Sequence, residues 1–231
     1  PDISAARRKE IRSLFERENL QICCIATGAR LATADPSELD KHLAEARSAI
    51  DLAADLAVPF VRTFGGPRGK GDLRGIVRHT ASAYSRLLEQ AHARGVTLLM
   101  ETHDEWCVSA QVRAVVELVD SPRLKVLWDI MHPQRFMERP EETMRNIGEM
   151  TAHLHAHDGR YDAGAQRITT VPMGEGIIDH ATPLRLLQAA GFDGFFSVEV
   201  IHRPGTEHDA DGALANYARE FKKIMAGLAA S

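Results

Sequence analysis

The chain of 231 residues carries 28 Lys and Arg against 32 Asp and Glu, a formal charge of −4 that offers no basic surface for a phosphate backbone. A nucleic-acid partner is therefore disfavoured, and small-molecule chemistry is the expectation. Cys23, Cys24 and Cys107 leave at least one thiol unpaired and suggest a reduced, cytoplasmic setting, while no apolar run reaches the roughly 18 residues of a bilayer span and residues 1–8 lack a signal peptide's apolar core, so no membrane partner is expected.

Residues 5–18 are charged and amphipathic and predict a helix, and residues 20–26 read as a buried strand. Asp35 as N-cap and Pro36 in the first turn open the next helix, whose apolar side carries Ala44, Ile50, Leu52 and Leu56. A strand over 58–64 ends at Gly65-Gly66-Pro67, and a long helix over 72–94 is stopped by Gly95. There follow a strand at 96–101, a helix at 109–119, a strand at 126–129, a helix at 140–149 and a strand at 151–155. An irregular stretch over 159–176 precedes a helix at 181–190, a strand at 196–199 and a last helix at 211–228.

This alternation predicts a parallel α/β fold, a (β/α)8 TIM barrel forming one domain over 1–231. Only six strands are found, near residues 22, 61, 98, 127, 153 and 197, and the sequence opens in a helix. The first two β/α units are thus expected to be missing. An open barrel would expose strand edges and invite a homo-oligomer or another partner.

Four of the strands stop at a residue type that binds metals: Glu101, Asp129, His155 and Glu199. Parallel barrel strands point their C-terminal ends at one face, so the four would converge. Any one alone reads as a polar strand terminus; four in the same position argue for a site. Carboxylates with one imidazole suit Mn²⁺ or Mg²⁺ and tolerate Co²⁺ or Zn²⁺. His153, His155 and His157 alternate and would share a face if the strand persists, so period alone does not choose the ligand.

His132 follows Asp129 closely enough for one turn to bring both to a shared ligand. His103 lines the same pocket or is a solvated loop residue; Asp104 and Glu105 read as loop surface, and so do Arg68, Lys70 and Arg74 rather than as a phosphate site. A sugar-like substrate suits the set, because an open-chain carbonyl and its neighbouring hydroxyl can chelate a divalent ion that stabilises an enediolate. Glu101 and Glu199 are the candidate catalytic acid and base.

The segments Leu99-Met100-Glu101-Thr102-His103, Trp128-Asp129-Ile130-Met131-His132, His153-Leu154-His155-Ala156-His157-Asp158 and Ser197-Val198-Glu199 resemble the xylose isomerase-like TIM-barrel superfamily of sugar isomerases and epimerases. The loop from Val171 to Asp179, with Gly174 and Gly176, resembles the family's loop before the last ligand strand. The resemblance covers nearly the whole chain from about Leu20 and implies that Glu101, Asp129, His155 and Glu199 hold the metal. It places His132 where relatives contact substrate and Arg160 near a substrate-binding arginine, one residue closer to His155 than in the epimerases. With His103 and His157 these make the substrate-facing candidates.

Relatives isomerise aldoses, epimerise ketoses, dehydrate inososes or dehydroshikimate, and cleave damaged DNA, so the resemblance implies a site and not one reaction. The DNA-cleaving branch uses extra histidines on the two preceding strands, which here end in Ile25-Ala26-Thr27-Gly28 and Phe64-Gly65-Gly66. The implied activity is a divalent-metal-dependent sugar isomerase or epimerase working through an enediolate by glutamate-mediated proton transfer. The alternatives are a metal-dependent lyase or dehydratase of a cyclic polyol ketone and a non-catalytic binding protein on a degenerate barrel.

Overall fold

A computed structural model of the chain describes residues 3–199 and 209–229. Helix α1 (Ala5–Arg17) is capped by the Ser4 side chain, which accepts from the Arg7 N–H. Strand β1 (Cys24–Arg30) starts later than its apolar run, because Asn19 turns the chain at φ 53° and Leu20 stays 61% exposed. It also runs past Ala26. The ladder to β2 (Phe60–Phe64) is irregular between Ala26 and Arg30, and there the Glu45 carboxylate accepts the Gly28 N–H at 2.7 Å. A side chain from α2 (Pro36–Asp55) thus satisfies a backbone donor at the bulge, where glycine commonly sits.

The α2 N-terminus forms as its sequence dictates, with Asp35 accepting from the N–H groups of Ser37 and Glu38 at 2.8 and 3.0 Å. Its inner side buries Leu39, Leu43, Ala46, Ile50 and Ala53 at helical spacing. Each buried leucine or isoleucine there contributes roughly 1.5–3 kcal/mol.

The single helix expected over 72–94 is two, α3 (Leu73–Ser85) and α4 (Leu88–Ala93). The N–H groups of Arg86 and Leu87 bond to Ala83 and Tyr84, three residues back and not four, so the backbone tightens into a break that no glycine or proline announces. Gly95 ends α4 at φ 71°, as its position predicted.

Beyond it come β3 (Thr97–Glu101), a 3₁₀ turn at Asp104–Trp106, α5 (Ser109–Val119), β4 (Leu124–Asp129) and α6 (Met131–Arg135). Then follow α7 (Pro140–Ile147), β5 (Thr151–Ala156), β6 (Asp158–Asp162), β7 (Arg167–Val171), α8 (Ala181–Ala189), β8 (Phe195–Val198) and α9 (Ala210–Ala229). Six strands form one sheet in the order β1-β2-β3-β4-β5-β8, and the β1–β2, β2–β3, β3–β4 and β5–β8 pairs are parallel.

The stretch over 159–176, expected to be irregular, contains an antiparallel hairpin instead. Strands β6 and β7 pair from Asp158 opposite Val171 to Asp162 opposite Arg167. The Asp162 carboxylate closes the turn by accepting the Gly164 and Ala165 N–H groups at 2.8 and 3.0 Å. Neither strand shows a clean apolar alternation, which is why its pattern was silent.

The described residues form two compact units, one within 1–106 and 111–127 and the other within 107–110 and 128–231. In the first, Leu43, Ile50, Val61, Tyr84, Leu98 and Met100 are fully buried, and the Tyr84 hydroxyl shares a 2.8 Å hydrogen bond with Thr63. Trp106 lies against Gly65, where a Cβ would run into the indole, and donates Nε1–H to the Gly66 carbonyl at 3.0 Å. In the second, Ala156, Met173 and Tyr217 are packed by Phe196, Val198 and Ile224. No helix among the described residues is long and apolar enough to cross a membrane.

Candidate metal centre

Glu101 closes β3 level with Leu127 on β4, two residues before Asp129. The Glu101 carboxylate is buried, and Arg62 Nε lies 3.1 Å from its Oε2. That guanidinium is itself held, donating Nη1–H to the Thr27 carbonyl at 2.7 Å and lying 3.9 Å over the Phe64 ring. A buried carboxylate is tolerable here because its cation is fixed in place.

Asp129 is completely buried at the end of β4. Its Oδ1 accepts the N–H groups of Met131 and His132 at 2.9 and 3.3 Å, which starts α6 and aims the other oxygen away from the helix. Oδ2 lies 2.6 Å from His157 Nδ1 and 3.7 Å from His132 Nε2. Burial alone would raise its pKa; the attraction of His132 and the hydrogen bond and charge of His157 outweigh it and hold the carboxyl well below the usual range.

Glu199 follows β8 directly, its side chain 42% exposed. Its Oε2 is 3.1 Å from His155 Nδ1 and 3.4 Å from His157 Nε2. Burial pushes its pKa up, but the His155 bond and the charges of His157 and His155 bring it below the ordinary value. His157 therefore bridges two carboxylates. Burial opposes its protonation, yet the bond to Asp129 and the charges of Asp129 and Glu199 raise its pKa.

The three alternating histidines are thus separated by their partners. His155 and His157 reach Glu199, whereas His153 Nε2 pairs with the Ser197 hydroxyl at 2.8 Å. Burial, with the neighbouring His155 charge, pulls His153 down to about 4 and keeps it neutral.

One donor atom from each of Asp129, His155 and Glu199 lies within 4.8 Å of the others. Metal–ligand distances of roughly 2.0–2.6 Å put opposing donors about 4–5 Å apart, so the three fit one ion. Asp129, His132 and His157 form an overlapping set that meets the same spacing.

The remaining candidates take up separate places. His132 Nδ1 accepts from Arg135 Nη1 at 3.2 Å. His103, in the loop after β3, pairs with Asp104 at 2.9 Å, its ring centroid 4.6 Å from that of Phe64. Arg160 stands exposed on β6 opposite Thr169.

Three supporting residues had escaped the sequence reading. Arg62 carries a signal, a lone cation inside an apolar strand. Asp158, 4% exposed, accepts the N–H groups of Gly159, Gly174, Gly176 and Ile178 at 2.8, 2.9, 3.0 and 3.4 Å, tying the glycine loop to the residue beside His157. A Cβ on Gly176 would run into that carboxylate, so glycine is required there. His180 Nε2 reaches the His157 carbonyl at 2.7 Å.

A family model described as xylose isomerase-like TIM barrel matches residues 1–223. Among solved structures, the IOLI protein with a binding zinc atom is 18% identical, with 98% of this chain and 83% of that one covered and a TM-score of 0.82. D-Psicose 3-epimerase with D-tagatose from Clostridium cellulolyticum H10 is 15% identical, covering 98% and 85% at a TM-score of 0.79. A xylose isomerase-like TIM barrel protein from Mycobacterium smegmatis in complex with magnesium is 19% identical, covering 98% and 79% at 0.70. Identities this low establish a shared TIM-barrel-like α/β fold. Among curated proteins none matches the sequence.

Proposed function

The chain belongs to the xylose isomerase-like TIM barrel family, and from that footing we propose that it is a divalent-metal-dependent isomerase or epimerase of a sugar or sugar-like polyhydroxy carbonyl compound. The observation that carries this reading is the convergence of Asp129, His155 and Glu199 within 4.8 Å. Glu101, buried at the end of β3, is the proposed fourth ligand. Three carboxylates and one imidazole favour Mn²⁺ or Mg²⁺, with Co²⁺ and Zn²⁺ tolerated.

When bound, a divalent ion supplies Lewis acidity that polarises the substrate carbonyl and acidifies the neighbouring C–H. The chain's residues do the rest. Glu199, kept as a carboxylate by His155 and His157, takes the proton from the carbon next to the carbonyl, leaving an enediolate. Glu101, held beside Arg62, delivers to the opposite face a proton taken up from solvent, while Glu199 releases its own to solvent, which completes epimerisation. His132, held by Arg135, stands next to Asp129 to bind a substrate oxygen. The fold relative that is a D-psicose 3-epimerase agrees with this chemistry, and the fold itself does not choose the sugar.

The test is to incubate the manganese-loaded protein with ketoses, aldoses and inososes in D₂O and follow products by NMR. Deuterium at the α-carbon of an isomer or epimer is the expected result, and Glu199→Gln abolishes it while leaving the circular dichroism spectrum unchanged. Loss of water from the substrate would assign a lyase instead. Near-normal turnover by Glu199→Gln would overturn the proton-transfer role.

A further inference from the structure

Between α6 and the β6–β7 hairpin lies a cavity of about 550 Å³ that the proposed reaction does not use. Its apolar wall is built from Phe136, Met137, Tyr161 and Ile177, which are 57%, 86%, 60% and 67% exposed. Large side chains clustered in solvent around one concavity mark a binding surface, and the volume is that of a small-molecule site.

Two features make this wall a built one. Met137 and Gln166, both lining the cavity, hold left-handed backbone at φ 62° and 53°, the one just past the end of α6 and the other in the turn between β6 and β7, and these turns set where each residue stands on the rim. The Met137 turn is secured by hydrogen bonds from the Phe136 and Met137 N–H groups to the Pro133 and Gln134 carbonyls at 2.9 and 3.0 Å. The chain thus fixes a flexible thioether outward, where it can adapt to an apolar guest.

Charge then selects the guest. Arg135 and Arg167 line the same cavity, and neither has a carboxylate partner among the described residues. The carboxylates nearest in sequence are engaged elsewhere: Glu138 accepts from Ser109 and Thr143, and Asp162 from Gly164 and Ala165. Two unneutralised guanidiniums beside an apolar wall complement an anion with an apolar body.

We propose that this cavity binds a small amphipathic carboxylate, its aromatic or aliphatic body on Met137, Phe136, Tyr161 and Ile177 and its charge on Arg135 and Arg167. Because Arg135 also donates to His132, occupancy is felt at that imidazole.

Calorimetric titration of the full chain in chelator, which removes any dependence on the metal reaction, tests the site with 4-phenylbutyrate, 4-phenyl-1-butanol and butyrate. The phenylbutyrate is expected to bind about tenfold more tightly than either analogue, since the alcohol lacks the charge and butyrate lacks the ring. Arg167→Gln and Met137→Ser each weaken it about fivefold or more without changing the melting temperature, and the His132 ring resonances shift on binding to the unaltered chain. Equal affinity for acid and alcohol, unchanged affinity in both variants, or no heat of binding in the millimolar range would overturn the proposal.

Discussion

Replacing Asp158 by alanine should loosen the loop that backs His157. The carboxylate accepts three short backbone hydrogen bonds, from Gly159, Gly174 and Gly176 at 2.8, 2.9 and 3.0 Å, and a longer one from Ile178 at 3.4 Å. A hydrogen bond to a charged acceptor is worth about 1.5–3 kcal/mol, but the Gly174 and Gly176 bonds are only partly buried, so water recovers part of the loss. Taking about 1 kcal/mol for each short bond gives a destabilisation of about 3 kcal/mol for Asp158→Ala. Urea denaturation reads this as a lower midpoint at unchanged slope, and native-state hydrogen exchange shows lost protection at Gly174 and Gly176. A loss below about 1 kcal/mol with protection retained would refute the claim that this carboxylate organises the loop.

Further outcomes follow from other parts of the structure. Gly176→Ala forces a Cβ against Asp158 and the Gly159 carbonyl and should cost about 1–3 kcal/mol, seen as a lower melting temperature; an unchanged one contradicts the contact. His153 sits at about 4 when folded against an ordinary 6.5, so between these values the unfolded chain binds the extra proton. Stability of the metal-free protein should then fall by about 3 kcal/mol as pH drops through that window, and His153→Gln should flatten the slope in urea titrations. Burial, reinforced by Cys23, pushes the Cys24 thiol up to about 12, so mass spectrometry after iodoacetamide at pH 8 should find Cys24 unmodified in the native chain and alkylated in urea; rapid native alkylation speaks against it.

The parts of the fold that were legible are those where one local signal dominates. Asp35-Pro36 announced α2 and Gly95 ended α4 because capping chemistry is local. The apolar runs before Glu101 and Asp129 predicted buried strands that form there, since a buried parallel strand writes itself as a continuous hydrophobic segment. Signals that depend on tertiary partners were silent. The break between α3 and α4 has no breaker residue, and β1 extends beyond its apolar run only because Glu45 arrives from α2 to satisfy Gly28. The β6–β7 hairpin is too polar for periodicity to find.

The candidate site divides in the same way. Strand-end position alone singles out Glu101, Asp129, His155 and Glu199, and in the structure Asp129, His155 and Glu199 come together. Position could not foresee that His157, just past the end of β5, would bridge Asp129 and Glu199 while His153 turned to Ser197. Nor could it foresee Arg62 beside Glu101, a pairing made across the β2–β3 ladder with no spacing in sequence to betray it.

The measurement that bears most directly on the account is equilibrium dialysis of Mn²⁺ against the chain and single variants, with bound metal counted by elemental analysis. One ion per chain is predicted, with binding weakened about tenfold or more by Glu101→Gln, Asp129→Asn, His155→Gln and Glu199→Gln, and changed little by His132→Gln. Loss of the ion in His132→Gln and His157→Gln with full retention in Glu199→Gln would place the metal on Asp129, His132 and His157 instead and contradict the proposed centre.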